Sequence, residues 1–217
     1  MSSASNPPSN QTSKAASGAG SGAGSASAPD RQVVLSGKSY QDYVAAVEEY
    51  PALRVELLNG EIIMTPARSP YHQLVSVNLL ILLGHYAKQH GLGVVMAAPL
   101  DVVLAREAQI IQPDLIYISK ERAPKLLGKA AITGAPDLAL EILSPSTTRT
   151  DRKIKLPLYA RYGVPEYWLV DPDDPSVEIF LLDGESYRVG GIFLSGDTIS
   201  VGAFAPAQIT VDSIFSA

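Results

Sequence analysis

The chain has 217 residues, 17 Lys and Arg against 22 Asp and Glu, a net charge of −5, and no cysteine. The missing cysteine excludes disulfides and thiolate metal sites, and the acidic balance weighs against tight non-specific binding to nucleic acid, which calls for a basic surface. The longest apolar candidate, "LVSVNLLILLGHYA", contains Asn78 and His85 and falls short of the roughly 18 residues of a membrane span, so a soluble, cytoplasmic protein is expected.

Residues 1–30 are almost all Ser, Ala, Gly, Pro and Asn. Such a segment buries too little apolar surface to offset its ordering entropy, and it reads as a disordered low-complexity tail. It lacks the apolar centre of a secretory signal. Its Lys14 and Asp30 cancel, which leaves the whole net charge on residues 31–217, expected as one domain.

That domain opens with a short amphipathic helix over about 39–48, stopped by Pro51. "RVELLNGEIIMTP" is two apolar runs around Asn59-Gly60, a strong hairpin signal. Residues 71–90 predict the long core helix, with Leu74, Val77, Leu80, Ile81 and Tyr86 near helical spacing and Gly91 suited to a cap. "GVVMAAPLDVVL" and "IIQPDLIYIS" read as two strands joined through "AREAQ", and "KERAPKLLGKAAITGA" as a loosely helical insert. "PDLALEIL" is a strand, about 149–162 a helix ended by Gly163 and Pro165, and "EYWLVD" a strand. A second hairpin turns at Asp183-Gly184, and "GDTISVGAFAPAQITVDSIF", residues 196–215, suggests an edge strand and a short final turn. The order helix, three strands, helix, strand predicts an α/β, or mixed α+β, fold with helices packed on a mixed sheet.

The candidate chemistry is acidic. In "LALEIL", strand alternation puts Ala139, Glu141 and Leu143 on one face and Leu138, Leu140 and Ile142 on the other. A carboxylate on a covered face costs several kcal/mol or so unless a cation or donors compensate it. A metal ion and a lysine ion pair are both open readings of Glu141, as is a solvated face. Asp114 starts the "DLIYI" strand, where Pro113 holds the preceding backbone extended. A hairpin pairing 93–104 with 112–118 would set Asp101 opposite Asp114, but one residue of slip removes that geometry, and Asp101 reads equally as a turn residue.

Asp151, Lys155 and Tyr159 recur at four-residue spacing on the helix after the Glu141 strand, so its inner face can return Lys155 towards the carboxylates. An exposed Asp151–Lys155 pair is the alternative. His72, at the start of the long helix, and Glu61, on the early hairpin, could both reach a site at a sheet edge. His85 and His90 read as structural or solvent-facing, and Tyr167 and Trp168 as core aromatics.

The succession "ELLNGEIIM…SPYHQ", "QPDLIYIS", "GAPDLALEILSPST", Asp151–Tyr159 and "GVPEYWLVDP" resembles the Uma-type restriction-endonuclease family of the PD-(D/E)xK nuclease superfamily. The resemblance covers roughly residues 37–215. It implies a restriction-endonuclease-like core, here with an added N-terminal hairpin and C-terminal strands. Asp114 resembles the superfamily's first acid and Glu141 its second, binding Mg²⁺ or Mn²⁺ through oxygen ligands. The place two residues after the second acid, where that superfamily carries lysine, is Leu143, and Lys155 is the candidate replacement.

The resemblance therefore implies a metal-dependent endonuclease acting on DNA, with Asp114, Glu141 and Lys155 catalytic and Asp101, His72 and Glu61 auxiliary. A homodimer suits cutting of both strands. The rival reading is a catalytically inactive nuclease-fold protein that binds DNA or protein as a regulatory module.

Overall fold

The computed structural model describes residues 32–105 and 107–216. The low-complexity tail falls outside them.

The first three strands begin one sheet. β1 (Val33–Ser36) is followed by α1 (Tyr40–Glu49), β2 (Arg54–Leu58) and β3 (Glu61–Thr65). Ser39 and Asp42 cap α1 reciprocally, which satisfies two of the backbone donors a helix start leaves open. Asn59 and Gly60 both take positive φ, 51° and 77°, as a two-residue hairpin between β2 and β3 requires. α2 (Pro70–Gln89) starts from an N-cap at Ser69, with Pro70 in its first turn.

Its buried stripe is His72, Val75, Leu79, Leu83 and Ala87. The face expected from the sequence is therefore rotated, and Val77 and Ile81 are exposed. Apolar residues flank the true stripe on both sides, so spacing alone did not choose between faces, and the stripe itself begins with a polar residue.

β4 (Gly93–Ala97), β5 (Val102–Ala105), β6 (Gln109–Ile111), β7 (Leu115–Ser119), α3 (Ala123–Leu126), β8 (Ile132–Thr133) and β9 (Leu138–Ile142) follow. The expected pairing of 93–104 with 112–118 is corrected here. Each run divides between two sheets: β4 pairs with β7, whereas β5 pairs with β6 in the sheet of β2 and β3. Asp101 lies where the chain crosses from one sheet to the other. It does not face Asp114, because Ala97 pairs with Leu115 and the ladder ends there.

The helical return comprises α4 (Thr148–Thr150), a π-helical turn Asp151–Lys155, and α5 (Leu156–Arg161). Pro157 sits at the start of α5, directly after the π-helical turn, in a return that is helical without interruption from Thr148 to Arg161. β10 (Glu166–Asp171), β11 (Ser176–Asp183) and β12 (Ser186–Leu194) complete the second sheet, and α6 (Val211–Phe215) closes the description. The expected edge strand in the final segment is absent among the described residues: β12 already forms that edge, and residues 198 and 210 meet in an isolated bridge.

The sheet orders are β1-β3-β2-β6-β5-β8 and β12-β11-β10-β9-β7-β4. β9 and β10 are parallel, joined through the helical return; β9 and β7 are antiparallel. Leu138, Leu140 and Ile142 pack with α2 and α6 on one face of the second sheet. On its other face Ile116, Ala139 and Leu143 meet Leu58, Ile63 and Ile111 of the first sheet, with Tyr159 of α5. α1 packs on the outer face of the first sheet. Glu141 shares the parity of Ala139 and Leu143, so it points between the sheets.

Candidate active site

Leu115 pairs with Leu140, and continuing that ladder by one residue sets Asp114 opposite Glu141 on the face between the sheets. Asp114 Oδ2 accepts from the Ile142 backbone N–H at 2.8 Å, which ties the acid to the neighbouring strand. Glu141 is fully buried. Lys155 Nζ lies 2.9 Å from Glu141 Oε1 and is itself 2 % exposed. Tyr159 donates its hydroxyl to the same oxygen at 3.1 Å. The π-helical turn keeps Asp151 and Lys155 together at 3.3 Å; the pair is buried, not solvated.

Three groups in the cluster were not singled out from the sequence. Arg54 and Glu56, two apart on β2, point the same way, into the gap between the sheets. Arg54 donates through Nη1 to Asp114 Oδ1 at 2.8 Å and through Nη2 to Glu141 Oε2 at 3.1 Å and Glu56 Oε1 at 3.3 Å. Glu56 also meets Lys155 at 3.1 Å and accepts from the Gln112 N–H at 2.8 Å. Arg68, between β3 and α2, reaches Asp114 at 3.3 Å. The signal for Arg54 and Glu56 was the one used for Glu141: charges inside the apolar strand "RVELL".

Of the expected auxiliary residues, His72 is at the site, with Nε2 3.2 Å from Asp114 Oδ2. Glu61 lies elsewhere, accepting from Ser36 on the outer β1–β3 pair. Asp101 accepts from Tyr43 and Gln112; it touches the cluster only through that glutamine.

Four carboxyl groups (Glu56, Asp114, Glu141, Asp151) thus share three cations, Arg54, Arg68 and Lys155. Burial pushes all four acids up, and the neighbours decide the outcome. Arg54, His72 and Arg68 overcome it at Asp114, which sits well below the usual carboxylate range. Arg54, Lys155 and the Gln112 N–H do the same for Glu56. At Glu141 burial prevails over Lys155 and Arg54, and the carboxyl is pushed up to about 8. Burial likewise raises Asp151. Lys155 is held charged: burial and Arg54 lower it, but Glu141, Glu56 and Asp151 raise it further.

A cleft of about 310 Å³ opens onto the cluster, lined among others by Arg54, Arg68, His72, Gln112 and Asp114. A second, of about 270 Å³, lies across Arg68 and His72 and is lined by Leu143 and Ser144.

The donor chemistry of Asp114 and Glu141 fits a hard divalent cation: two carboxylates from adjacent strands, with no soft ligand nearby. As the side chains stand, the Arg54 guanidinium is the cation between them. Among the described residues no three acidic or histidine side chains form a ready-made metal cage.

A helix, three strands, helix and strand, with two strand acids facing one another and a lysine behind them, define the restriction-endonuclease-like class of fold. A crystal structure from Anabaena variabilis, described as "a putative nuclease belonging to DUF820", shares that fold. It superposes with a TM-score of 0.62 over 78% of this chain and 96% of its own, at 20% identity. No curated protein matches the chain. The Uma2 family, described as "Putative restriction endonuclease", matches residues 40–212, and the chain belongs to that family. No described helix is long and apolar enough to cross a membrane.

Proposed function

We propose that the protein is an endonuclease hydrolysing DNA phosphodiester bonds with Mg²⁺ or Mn²⁺ held by Asp114 and Glu141. The observation that carries the reading is the facing of these two acids between the sheets, with Lys155 on the second. The cation, when bound, lowers the pKa of a water and neutralises charge on the phosphate.

The chain's own groups divide the remaining work. Lys155 and Tyr159 fix one oxygen of Glu141, and Lys155 adds a buried positive charge that needs no reorganisation during reaction. His72 and the Ile142 N–H hold the orientation of Asp114. Arg54 and Arg68 line the cleft and offer forked donors matched to phosphate oxygens. Cutting both strands of a duplex calls for two copies, and a two-fold homodimer suits that.

The test is supercoiled plasmid incubated with Mg²⁺ or Mn²⁺, then with EDTA. Cleavage should stop on chelation and in Glu141→Ala and Asp114→Asn. A second reading, a non-catalytic binding module, is favoured by two observations: Leu143 is buried among apolar side chains in the usual lysine place, and Arg54 already compensates both acids. No cleavage with any divalent ion or DNA form would select it.

A further inference from the structure

We infer that Arg54 is the exchangeable resident counter-ion of the proposed metal site. It holds Asp114 and Glu141 together until a divalent cation replaces it, and its guanidinium then turns to a phosphate in the adjoining cleft. The inference rests on the metal-dependent reading above.

Three observations lead here. First, Arg54 stands between the two acids that a metal would have to share, at 2.8 and 3.1 Å. A guanidinium and a divalent ion on the same two carboxylates would repel at close range in a poorly screened site. One must leave.

Second, the departure of Arg54 strands none of the acids. Asp114 keeps Arg68, His72 and the Ile142 N–H. Glu141 keeps Lys155 and Tyr159. Glu56 keeps Lys155 and the Gln112 N–H. A buried ion pair whose partners have no other donors is costly to open, whereas here each carboxylate has a second and a third.

Third, Arg54 is incompletely used where it sits. Its Nε is buried without a hydrogen-bond partner, although its side chain already lines the cleft beside Arg68. It is also carried by β2, on the sheet opposite the acids, so its side chain can turn without disturbing the β7–β9 ladder. In the cleft its whole fork would face an anion. By linkage, metal and DNA would then each raise the affinity of the other.

Mn²⁺ binding, followed by calorimetry and by its paramagnetic resonance signal, tests this without reference to turnover. In Arg54→Gln, Mn²⁺ should bind at least tenfold more tightly than in the wild type. Arg54→Lys, which keeps the charge but cannot span two carboxylates, should fall between. A short cleavage-resistant phosphorothioate duplex should tighten Mn²⁺ binding to the wild type and leave Arg54→Gln unchanged. If Arg54→Gln does not fold by circular dichroism, Arg54→Lys carries the comparison, again with tighter Mn²⁺ binding than the wild type. Unchanged or weaker Mn²⁺ binding in the folded variants overturns the inference, as does a failure of every form to bind Mn²⁺. Tighter Mn²⁺ binding in the variants, with no DNA cleavage by the wild type under any divalent ion, upholds it and removes the nuclease reading. Metal-dependent cleavage with Mn²⁺ affinity indifferent to Arg54 does the reverse.

Discussion

Lys155 meets Glu141 across 2.9 Å with both side chains buried, although the two belong to successive elements joined by the Ser-Pro-Ser-Thr-Thr turn. The same amine is shared with Glu56, at 3.1 Å, and Asp151, at 3.3 Å. Removing it leaves three buried acids short of a cation. Lys155→Met should therefore destabilise the fold by about 3–5 kcal/mol, read as a lowered urea midpoint. Because the lost partner is Glu141 in part, adding Glu141→Gln should recover a portion, and the two changes should be clearly non-additive.

Stability should fall with rising pH between 6 and 8. Burial puts the folded Glu141 carboxyl near 8, whereas the unfolded chain releases that proton near about 4.3. Between those values the folded state holds more protons, so stability is lost as pH rises towards the folded pKa. Glu141→Gln should flatten this limb by up to about 1.4 kcal/mol per pH unit. Asp114 and Glu56 run the other way: with folded pKa values lowered, their contribution is present above about 4 and lost in acid. Denaturant titrations from about pH 2 to 9 separate the two limbs, and a variant slope between pH 6 and 8 equal to the wild type would refute the Glu141 assignment.

Arg68 reaches Asp114 from the cleft wall at 3.3 Å and lines both clefts. Arg68→Ala should weaken binding of duplex DNA several-fold and reduce the slope of log affinity against log salt by about one. Its thermal midpoint should move little, because Asp114 retains Arg54 and His72. Fluorescence anisotropy at three or more salt concentrations measures this.

Gly202 tests the fold away from the site. Its φ is +80°, and a Cβ there would come within 1.9 Å of Glu166 Oε1. Glu166 is buried and accepts from the Trp168 indole and from the Ala203 N–H, so it cannot retreat without stranding donors. Gly202→Ala should cost about 2–3 kcal/mol. A melting curve matching the wild type would mean that the 202–204 segment repacks freely.

Much of the core was legible because it rests on local signals. Asn59-Gly60 requires a hairpin, alternation in "LALEIL" places Glu141 opposite the Leu138–Leu140–Ile142 face, and the spacing of Asp151, Lys155 and Tyr159 survives the π-helical turn. The face of α2 was misread because apolar residues surround its true stripe. Asp101 was misplaced because strand register depends on where a run divides between sheets, and no local pattern announces that at Ala98-Pro99.

The amino-acid order by itself determined which residues carry charge into apolar strands, and hence that compensation had to exist for Glu141. Only the tertiary structure decided who supplies it. Arg54 lies 60 and 87 positions from its partners Asp114 and Glu141 along the chain, and they meet because two sheets close face to face. Burial makes an acid need a cation, but the pairing of sheets, a property of the whole chain, selects which cation arrives.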